Sequence, residues 1–339
     1  MKISSINRHL RNLTDEKLET CLSKPKYISF IITKKCNLKC LHCDIWKNQD
    51  LTEINDEQWL KLLDKIKNWL GKQEIEINGG EPMLKKDLVF KIIKKCNELN
   101  LPVGLNTNGI LIDIKTAKEL FKHKLQNIKI SLYSLNNEIH DKLRGMSGAF
   151  LKTKEALEHL NKERNLSKTK IELGMLLTKS NINEINSLIN YAKKNNFDLI
   201  LQPLDFNINK NYQNNWQQTS DLWPTKEQIE KYLKPLVIKK PKLIKNPVYY
   251  LKEIYEYYLE PKSINQRKCF AIYNNLVIEP NGDVRLCFRS QKIGNIGQNK
   301  IEEIWCGNSA KKERKRLRSC QKSCKILGCN IRKQIKDFL

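Results

Sequence analysis

Short runs of apolar and β-branched residues alternate with longer helical patterns through the first two-thirds of the chain. The predicted strands are 27–33, 75–78, 103–106, 128–133, 171–177 and 199–202. The predicted helices are 52–70, 114–121, 150–160 and 183–194, where apolar residues recur at helical spacing. Strands that alternate with helices form a parallel sheet of right-handed βαβ units. Six units are too few for a closed eight-stranded barrel, so the pattern predicts an α/β fold, a partial (β/α)6 barrel over residues 26–206.

The pattern changes on both sides of this predicted barrel. Residues 1–25 form an N-terminal segment, and residues 207–266 begin with a polar stretch and continue with helical patches at 226–236 and 249–259. We interpret the second region as a helical connector that packs on the barrel. In residues 267–339, two short apolar runs flank Pro-Asn-Gly-Asp, a typical hairpin signal, and cysteines follow. This end of the chain is predicted to be a small, cysteine-rich second domain.

Three cysteines, Cys36, Cys40 and Cys43, follow the first predicted strand. Open α/β folds place their active sites in loops of this kind, after the carboxyl ends of strands. Three thiolates hold three corners of a four-iron cluster and leave one iron free for chemistry. The alternatives are a zinc site or scattered core cysteines. Zinc usually takes four ligands in pairs, and no His pair or second CXXC lies near this triplet.

The second predicted strand ends in Gly79-Gly80-Glu81-Pro82. Glycines at a strand end permit backbone to approach a ligand closely, and proline stiffens the turn. Glu81 supplies an acceptor or an ionic partner. Alone, this segment would be an ordinary tight turn. After a strand, a CX3CX2C loop, a helix and another strand, it resembles the signature of the radical S-adenosylmethionine (radical SAM) superfamily.

This resemblance implies a [4Fe-4S] cluster bound by Cys36, Cys40 and Cys43, and S-adenosylmethionine (SAM) bound to its open iron. It also implies that Gly79, Gly80, Glu81 and Pro82 contact the SAM amino group. The implied activity is reductive cleavage of SAM to a 5′-deoxyadenosyl radical, which abstracts a hydrogen atom from the substrate. An electron donor of the flavodoxin or ferredoxin type is the implied partner.

Two further residues are candidates for binding SAM on the same resemblance. Ser131, on the fourth predicted strand, matches a polar position that commonly contacts the ribose, and Asn108 is a second candidate. The alternative for each is a side chain that caps its own turn. His42 stands before the last cysteine, where the family often has Tyr or Phe, so a side-chain role is not carried over to it.

Five cysteines lie near the end of the chain: Cys269, Cys287, Cys320, Cys324 and Cys329. Small modules without a large core are often held together by a metal cluster. The Gly282-X4-Cys287 spacing and the following Gly-Asn-Ile and Trp resemble the SPASM/twitch extension of radical SAM enzymes. That implies one auxiliary [4Fe-4S] cluster bound by four of the five; the fifth is a spare thiol or a hydrogen donor. Cys21 and Cys96 are predicted to be structural free thiols, and Cys306 is left unassigned.

The net charge of +25 comes from lysines spread along the whole chain, without a recognisable nucleic-acid-binding module. Nucleic acid is therefore not the expected partner. The densest basic run, residues 311–318, either binds an acidic leader peptide or is a solvated helix face. No signal peptide or 18-residue apolar run is present, so we expect a cytoplasmic protein with reduced thiols and no membrane contact.

The substrate stays open between three hypotheses. The first is a maturase that cross-links, epimerises or oxidises a ribosomally made peptide. Because only about 25 residues precede the first strand, it would need a separate leader-peptide-binding protein. The second is a dehydrogenase or epimerase of a sugar or aminocyclitol, and the third is an RNA-associated protein with structural clusters.

Overall fold

The computed structural model describes residues 3–18, 20–48, 52–164, 168–205, 220–266, 269–321 and 324. Its strands are β1 Tyr27–Ile31, β2 Glu74–Asn78, β3 Val103–Thr107, β4 Asn127–Ser131, β5 Lys170–Leu176, β6 Asp198–Gln202, β7 Asn275–Ile278, β8 Asp283–Arg285 and β9 Lys292–Asn295. Its helices are α1 Ile3–Leu18, α2 Asp56–Leu70, α3 Lys86–Glu98, α4 Ile114–Lys122, α5 Asn137–Arg144, α6 Ala149–Glu163, α7 Ile185–Lys194, α8 Lys226–Tyr232, α9 Lys234–Ile238, α10 Val248–Leu259, α11 Ala271–Asn274, α12 Ile301–Cys306 and α13 Asn308–Arg318.

The described strands form one sheet in the order β6-β5-β4-β3-β2-β1-β7-β8-β9. Strands β1 to β6 are parallel to their neighbours, with Phe30 opposite Ile77 and Leu105 opposite Ile128. The predicted six-unit α/β architecture is confirmed. Strands β1, β3 and β5 are almost continuously buried, whereas β2, β4 and β6 alternate buried apolar residues with more exposed, mostly polar ones.

The predicted hairpin is present, but it is not separate from the barrel. Strands β7 and β8 pair antiparallel, and β7 also lies parallel to β1, with Tyr27 opposite Asn275. The cysteine-rich end of the chain therefore extends the barrel sheet at its β1 edge. A hairpin signal fixes only the local pairing, whereas the neighbour on its other edge is decided by the tertiary fold.

Local sequence signals explain the helices that were predicted. In α2, Asn55 and Gln58 form a capping box, Gly71 ends the helix at φ +71°, and Trp59 and Leu63 are buried on the sheet side. Helices α1, α3 and α5 were not predicted. Helix α5 has eight residues and ends at Gly145 in the left-handed conformation, so its apolar pattern is short.

The N-terminal segment is attached to the cysteine-rich end. Asn12 Nδ2 donates to Asn274 Oδ1 at 3.2 Å, and Trp305 Nε1 donates to the Ser23 carbonyl at 2.9 Å. Cys21 and Cys306 form a disulfide with Cα atoms 5.5 Å apart. The prediction that Cys21 is a free thiol is therefore wrong, because the pairing of β7 with β1 carries α12 beside the segment that precedes β1. Cys96 is fully buried in α3, as predicted for a structural thiol.

The connector packs on the β6 edge of the sheet. Asn246 exchanges two hydrogen bonds of 2.8 Å with the backbone of Leu201, and Tyr258 Oη donates to the Leu177 carbonyl at 2.7 Å. The ring of Trp223 lies 5.2 Å from that of Tyr257 and 4.8 Å from that of Tyr258. Trp223 thus packs within the connector. No helix in the described ranges is long and apolar enough to span a bilayer.

Candidate active site

The loop that carries the first three cysteines follows β1 and is bound directly to the Gly79–Pro82 segment. The Gly80 amide donates to the Thr33 carbonyl, and the Glu81 amide donates to the Lys35 carbonyl, both at 2.8 Å. A Cβ on Gly79 would lie 2.7 Å from the Thr33 oxygen, and one on Gly80 would lie 2.2 Å from the Lys35 oxygen. The glycines therefore allow this segment to pack against the cysteine loop, which is a different reason from the ligand approach that the sequence suggested.

The other side of the cysteine loop rests on the end of α5. The Leu41 amide donates to the Leu143 carbonyl at 3.1 Å. A Cβ on Gly145 would lie 2.1 Å from the Lys39 oxygen, so this contact also requires glycine. The loop is consequently held between two backbone surfaces, and its cysteine positions depend on both.

The three thiols of this loop influence one another and lie in a small apolar cluster with Leu38 and Ala149. Burial raises the pKa of Cys36 to about 11, and the nearby Cys40 and Glu81 charges add to the rise. Burial also raises the pKa of Cys40 and of Cys43. Metal binding to these thiols would require that their protons be released.

Within the described part of the chain, no three His, Cys, Asp or Glu side chains are grouped as one metal ion would require. In a four-iron cluster each thiolate binds a different iron, so the sulfur atoms need not converge on one point.

Glu81 is buried and connects the ends of β2 and β3. Its carboxylate accepts from the Thr107 hydroxyl at 2.6 Å, from the Asn108 amide at 2.8 Å and from the Met83 amide at 2.9 Å. Burial raises its pKa, although these hydrogen bonds oppose the rise. The Glu81 carboxylate is thus an acceptor, as predicted, and donors of the protein itself already occupy part of it.

Asn108 holds the cysteine loop as well as its own turn. Its Nδ2 donates to Asn37 Oδ1 at 2.7 Å, and its Oδ1 accepts from the Ile110 amide at 3.0 Å. Ser131 is the last residue of β4 and hydrogen-bonds the Tyr133 hydroxyl. Both residues lie at the carboxyl edge of the sheet, as predicted; SAM contact remains a prediction for each.

Arg144 was not singled out from the sequence. Its positive charge acts on all three thiols of the cysteine loop. Its side chain is buried, and its guanidinium lies 4.7 Å from the centre of the Tyr133 ring. Burial raises the pKa of Cys36, Cys40 and Cys43, and the Arg144 charge opposes that rise. A single arginine near a helix end has no sequence signal of its own. Its importance arises because α5 ends against the cysteine loop.

Two neutral histidines accompany Tyr133 beside this arginine. The Tyr133 hydroxyl lies 3.3 Å from His42 Nε2, and the Tyr133 amide donates to His140 Nδ1 at 3.3 Å. Burial, with the Arg144 charge, lowers the pKa of each histidine to about 3. His42 is therefore uncharged at neutral pH, and its Nδ1 is a buried atom without a hydrogen-bond partner.

A second group of thiols is assembled by the C-terminal part of the chain. Burial raises the pKa of Cys287, and Cys320 adds to the rise. The pKa of Cys324 is raised strongly by burial, with smaller contributions from Asp205, Cys287 and Cys269. The structure thus brings four of the five predicted auxiliary cysteines within electrostatic reach of one another. Cys329, the fifth, lies outside the described residues.

The two thiol groups are attached to different parts of the sheet. The first follows the carboxyl end of β1. In the second, Cys269 precedes β7 and Cys287 follows β8, which runs antiparallel to β7, so both lie toward the amino ends of β7 and β1. Arg289 Nη2 donates to Asp205 Oδ2 at 2.6 Å, which joins the second group to the segment that follows β6.

The basic run on α13 is only partly a solvated face. Lys311, Lys312 and Lys315 are exposed. Arg314, by contrast, is buried, and donates to the Ile272 carbonyl at 3.1 Å and to the Trp305 carbonyl at 2.9 Å. Burial lowers its pKa to about 10. Arg314 of the basic run therefore stabilises the fold through these buried hydrogen bonds.

Two family models match the chain: the radical SAM superfamily over residues 30–192 and the SPASM iron-sulfur cluster-binding domain over residues 269–330. The chain belongs to the radical SAM superfamily. Its two domains imply a [4Fe-4S] cluster, SAM and an auxiliary iron-sulfur cluster.

Curated relatives share about 30% of the aligned residues. An AdoMet-dependent heme synthase of Methanosarcina barkeri (strain Fusaro / DSM 804) is 30% identical over 172 residues, which is 50% of this chain and 48% of that protein. A probable GTP 3′,8-cyclase of Methanococcus vannielii is 31% identical over 220 residues, 62% of this chain and 67% of that protein. This radical SAM chain spans about half the length of the heme synthase.

The fold of this radical SAM enzyme is similar to that of Streptococcus suis SuiB bound to S-adenosylmethionine. The TM-score is 0.67 at 17% identity, over 96% of this chain and 75% of SuiB. Because the match covers 96% of this chain, it extends into the cysteine-rich end.

Proposed function

We propose that the enzyme cleaves SAM reductively and uses the resulting 5′-deoxyadenosyl radical to abstract a hydrogen atom from a residue of a ribosomally made peptide. The observation that carries this proposal is the presence of two groups of thiols, one after β1 and one in the C-terminal part of the chain. A radical generated beside the first group can be quenched by electron transfer to the second.

Cys36, Cys40 and Cys43 are the proposed ligands of the SAM-binding cluster. Together, the cluster and SAM supply an electron and a carbon radical, which no protein side chain provides. Gly79 to Pro82 hold the loop in place, and Arg144 is a buried cation suited to an anionic cluster and to a carboxylate. Tyr133 and His42 are uncharged neighbours of this thiol group.

Cys269, Cys287, Cys320 and Cys324 are the proposed ligands of the auxiliary cluster. Cys329 is the alternative fourth ligand, or the spare thiol or hydrogen donor. A flavodoxin or ferredoxin is the proposed electron donor, and a separate leader-binding protein is the proposed partner.

The peptide substrate is supported by the fold likeness to SuiB, which has also been solved bound to its precursor peptide SuiA. The exposed lysines of α13 suit an acidic leader segment. The second candidate is a small molecule. It is favoured by the resemblance in sequence to a probable GTP 3′,8-cyclase, which covers more of this chain than the heme synthase does.

The first test is anaerobic reconstitution with iron, sulfide, dithionite and SAM, followed by measurement of 5′-deoxyadenosine. We expect about eight iron atoms per chain and SAM cleavage that Cys36→Ala abolishes. No 5′-deoxyadenosine from the fully loaded chain, or full activity in Cys36→Ala, would refute the radical assignment.

The substrate test is co-expression with small peptides encoded beside the gene. We expect a peptide that loses two hydrogen atoms, or one that gains deuterium from D2O at an epimerised residue. If 5′-deoxyadenosine formation is stimulated instead by a nucleotide or a sugar, the peptide part of the proposal fails while the radical chemistry stands.

A further inference from the structure

Two arginine–carboxylate pairs flank the cysteines of the C-terminal part, and they differ in burial. Arg289 and Asp205 are paired at 2.6 Å, and each side chain is 9% exposed. Arg316 and Glu313 are paired at 2.6 Å on α13, where the arginine side chain is 47% exposed. Only the first pair joins the cysteines to the barrel, since Asp205 follows β6.

The Arg289–Asp205 pair stands beside the thiols. Arg289 lies in a turn that begins at Cys287 and is closed by a hydrogen bond of 3.1 Å from the Ser290 amide to the Cys287 carbonyl. Charges in a buried setting are only weakly screened by solvent. Arginine also keeps its charge at any working pH.

From this geometry we propose that Arg289, held in place by Asp205, sets the reduction potential of the auxiliary cluster. The proposal rests on the proposed ligation by Cys269, Cys287, Cys320 and Cys324. A cluster becomes more negative when it gains an electron. A nearby cation therefore raises its potential, and a nearby carboxylate lowers it. Arg289 and Asp205 are positioning residues here, because neither is required to touch the substrate.

The pair provides a diagnostic test because its two members act with opposite sign. Arg289→Gln leaves the carboxylate uncompensated, so the potential should fall. Asp205→Asn leaves the guanidinium uncompensated, so the potential should rise. The double variant should return close to the parent value. A purely structural ion pair predicts instead that both single variants change the cluster in the same way, because each breaks the same contact.

The measurement is an EPR-monitored redox titration of the full chain carrying Cys36→Ala, Cys40→Ala and Cys43→Ala, in which only the auxiliary cluster remains. About four iron atoms per chain confirm that this cluster is loaded. A single charge close to a buried group typically changes an equilibrium tenfold or more. We therefore expect each single variant to change the reduced-to-oxidised ratio about tenfold, which is 59 mV for a one-electron couple.

Arg316→Gln is the matched control, because its partly exposed charge should shift the potential less than Arg289→Gln does. Arg289→Lys retains the charge and should keep the parent potential. If Arg289→Gln fails to bind iron, the iron content of Arg289→Lys is the deciding measurement. Loss of the cluster in Arg289→Lys as well would show that the shape of the guanidinium matters rather than its charge, and would overturn the proposal.

Shifts of equal sign in both single variants, or no shift in either, would overturn it as well. So would a parent chain that shows no reducible signal once the barrel cysteines are removed. SAM cleavage, measured separately on the chain with all its cysteines, reports on the proposed function alone. The two failures are therefore distinguishable.

Discussion

Replacing Gly80 with alanine tests the contact that holds the cysteine loop. The new Cβ would lie 2.2 Å from the Lys35 carbonyl oxygen, 2.6 Å from the Lys35 carbonyl carbon and 2.7 Å from the Lys34 carbonyl oxygen. All three neighbours are backbone atoms, so no side chain can rotate away. The two segments must separate by roughly 1 Å to reach an ordinary contact distance.

This separation breaks two short hydrogen bonds, from the Gly80 amide to Thr33 and from the Glu81 amide to Lys35. Each buried backbone group left unpaired costs about 1–3 kcal/mol, and overpacking costs about as much again. We expect a loss of about 3–5 kcal/mol, concentrated at the cysteine loop. The chain should therefore fail to hold the SAM-binding cluster and should bind about four iron atoms instead of about eight.

The matched control is Gly148→Ala. Unlike Gly80, Gly148 has a positive φ, +77°, but a Cβ there meets nothing within 4 Å. It should cost only about 1–2 kcal/mol of backbone strain and leave both clusters in place. Iron and sulfide content after anaerobic reconstitution, with thermal unfolding, measures both variants. A Gly80→Ala chain with full iron content and wild-type SAM cleavage would refute this account of the contact.

Three further outcomes are expected. Arg144→Met should reduce loading of the SAM-binding cluster by tenfold or more, whereas Arg144→Lys should retain part of it, as measured by iron content and 5′-deoxyadenosine formation. Cys21→Ser removes the link to Cys306 and should lower stability by about 2–5 kcal/mol in non-reducing buffer and by much less with a reductant present, as followed by thermal unfolding and thiol alkylation. Asn181 Nδ2 donates to the carbonyls of Tyr133 and Leu176, both at 2.7 Å. Asn181→Ala should therefore lower the free energy of unfolding by about 2–4 kcal/mol, as measured by denaturant titration. A change below about 0.5 kcal/mol would contradict its bridging role.

The barrel and its chemistry were largely predictable because their signals are local. Strand periodicity and the CX3CX2C loop each occupy a few consecutive residues. The Gly79–Pro82 segment does too, although its glycines serve a contact with Thr33 and Lys35 that lies more than 40 residues back in the chain. Local patterns show where glycine is used but not which distant backbone it approaches.

Arg144, the Cys21–Cys306 disulfide and the Arg289–Asp205 pair were not predicted. Each depends on which elements become neighbours in space. Asp205 and Arg289 are 84 positions apart in sequence, and Cys21 and Cys306 are 285 apart. A lone arginine or cysteine carries no periodicity and no spacing that distinguishes it from a surface charge or a core thiol.

By itself, the sequence determined the α/β class, the three-thiol loop and the supply of cysteines for a second cluster, because consecutive residues encode strands, turns and ligand spacing. Only the tertiary structure decided that β7 joins the barrel sheet beside β1 and that the connector packs on β6. Those two packings attach the second thiol group to the barrel, through β7 beside β1 and through the Arg289–Asp205 pair after β6. The physical reason is that sheet order and packing are set by burial of apolar faces across the whole chain, which no single segment specifies.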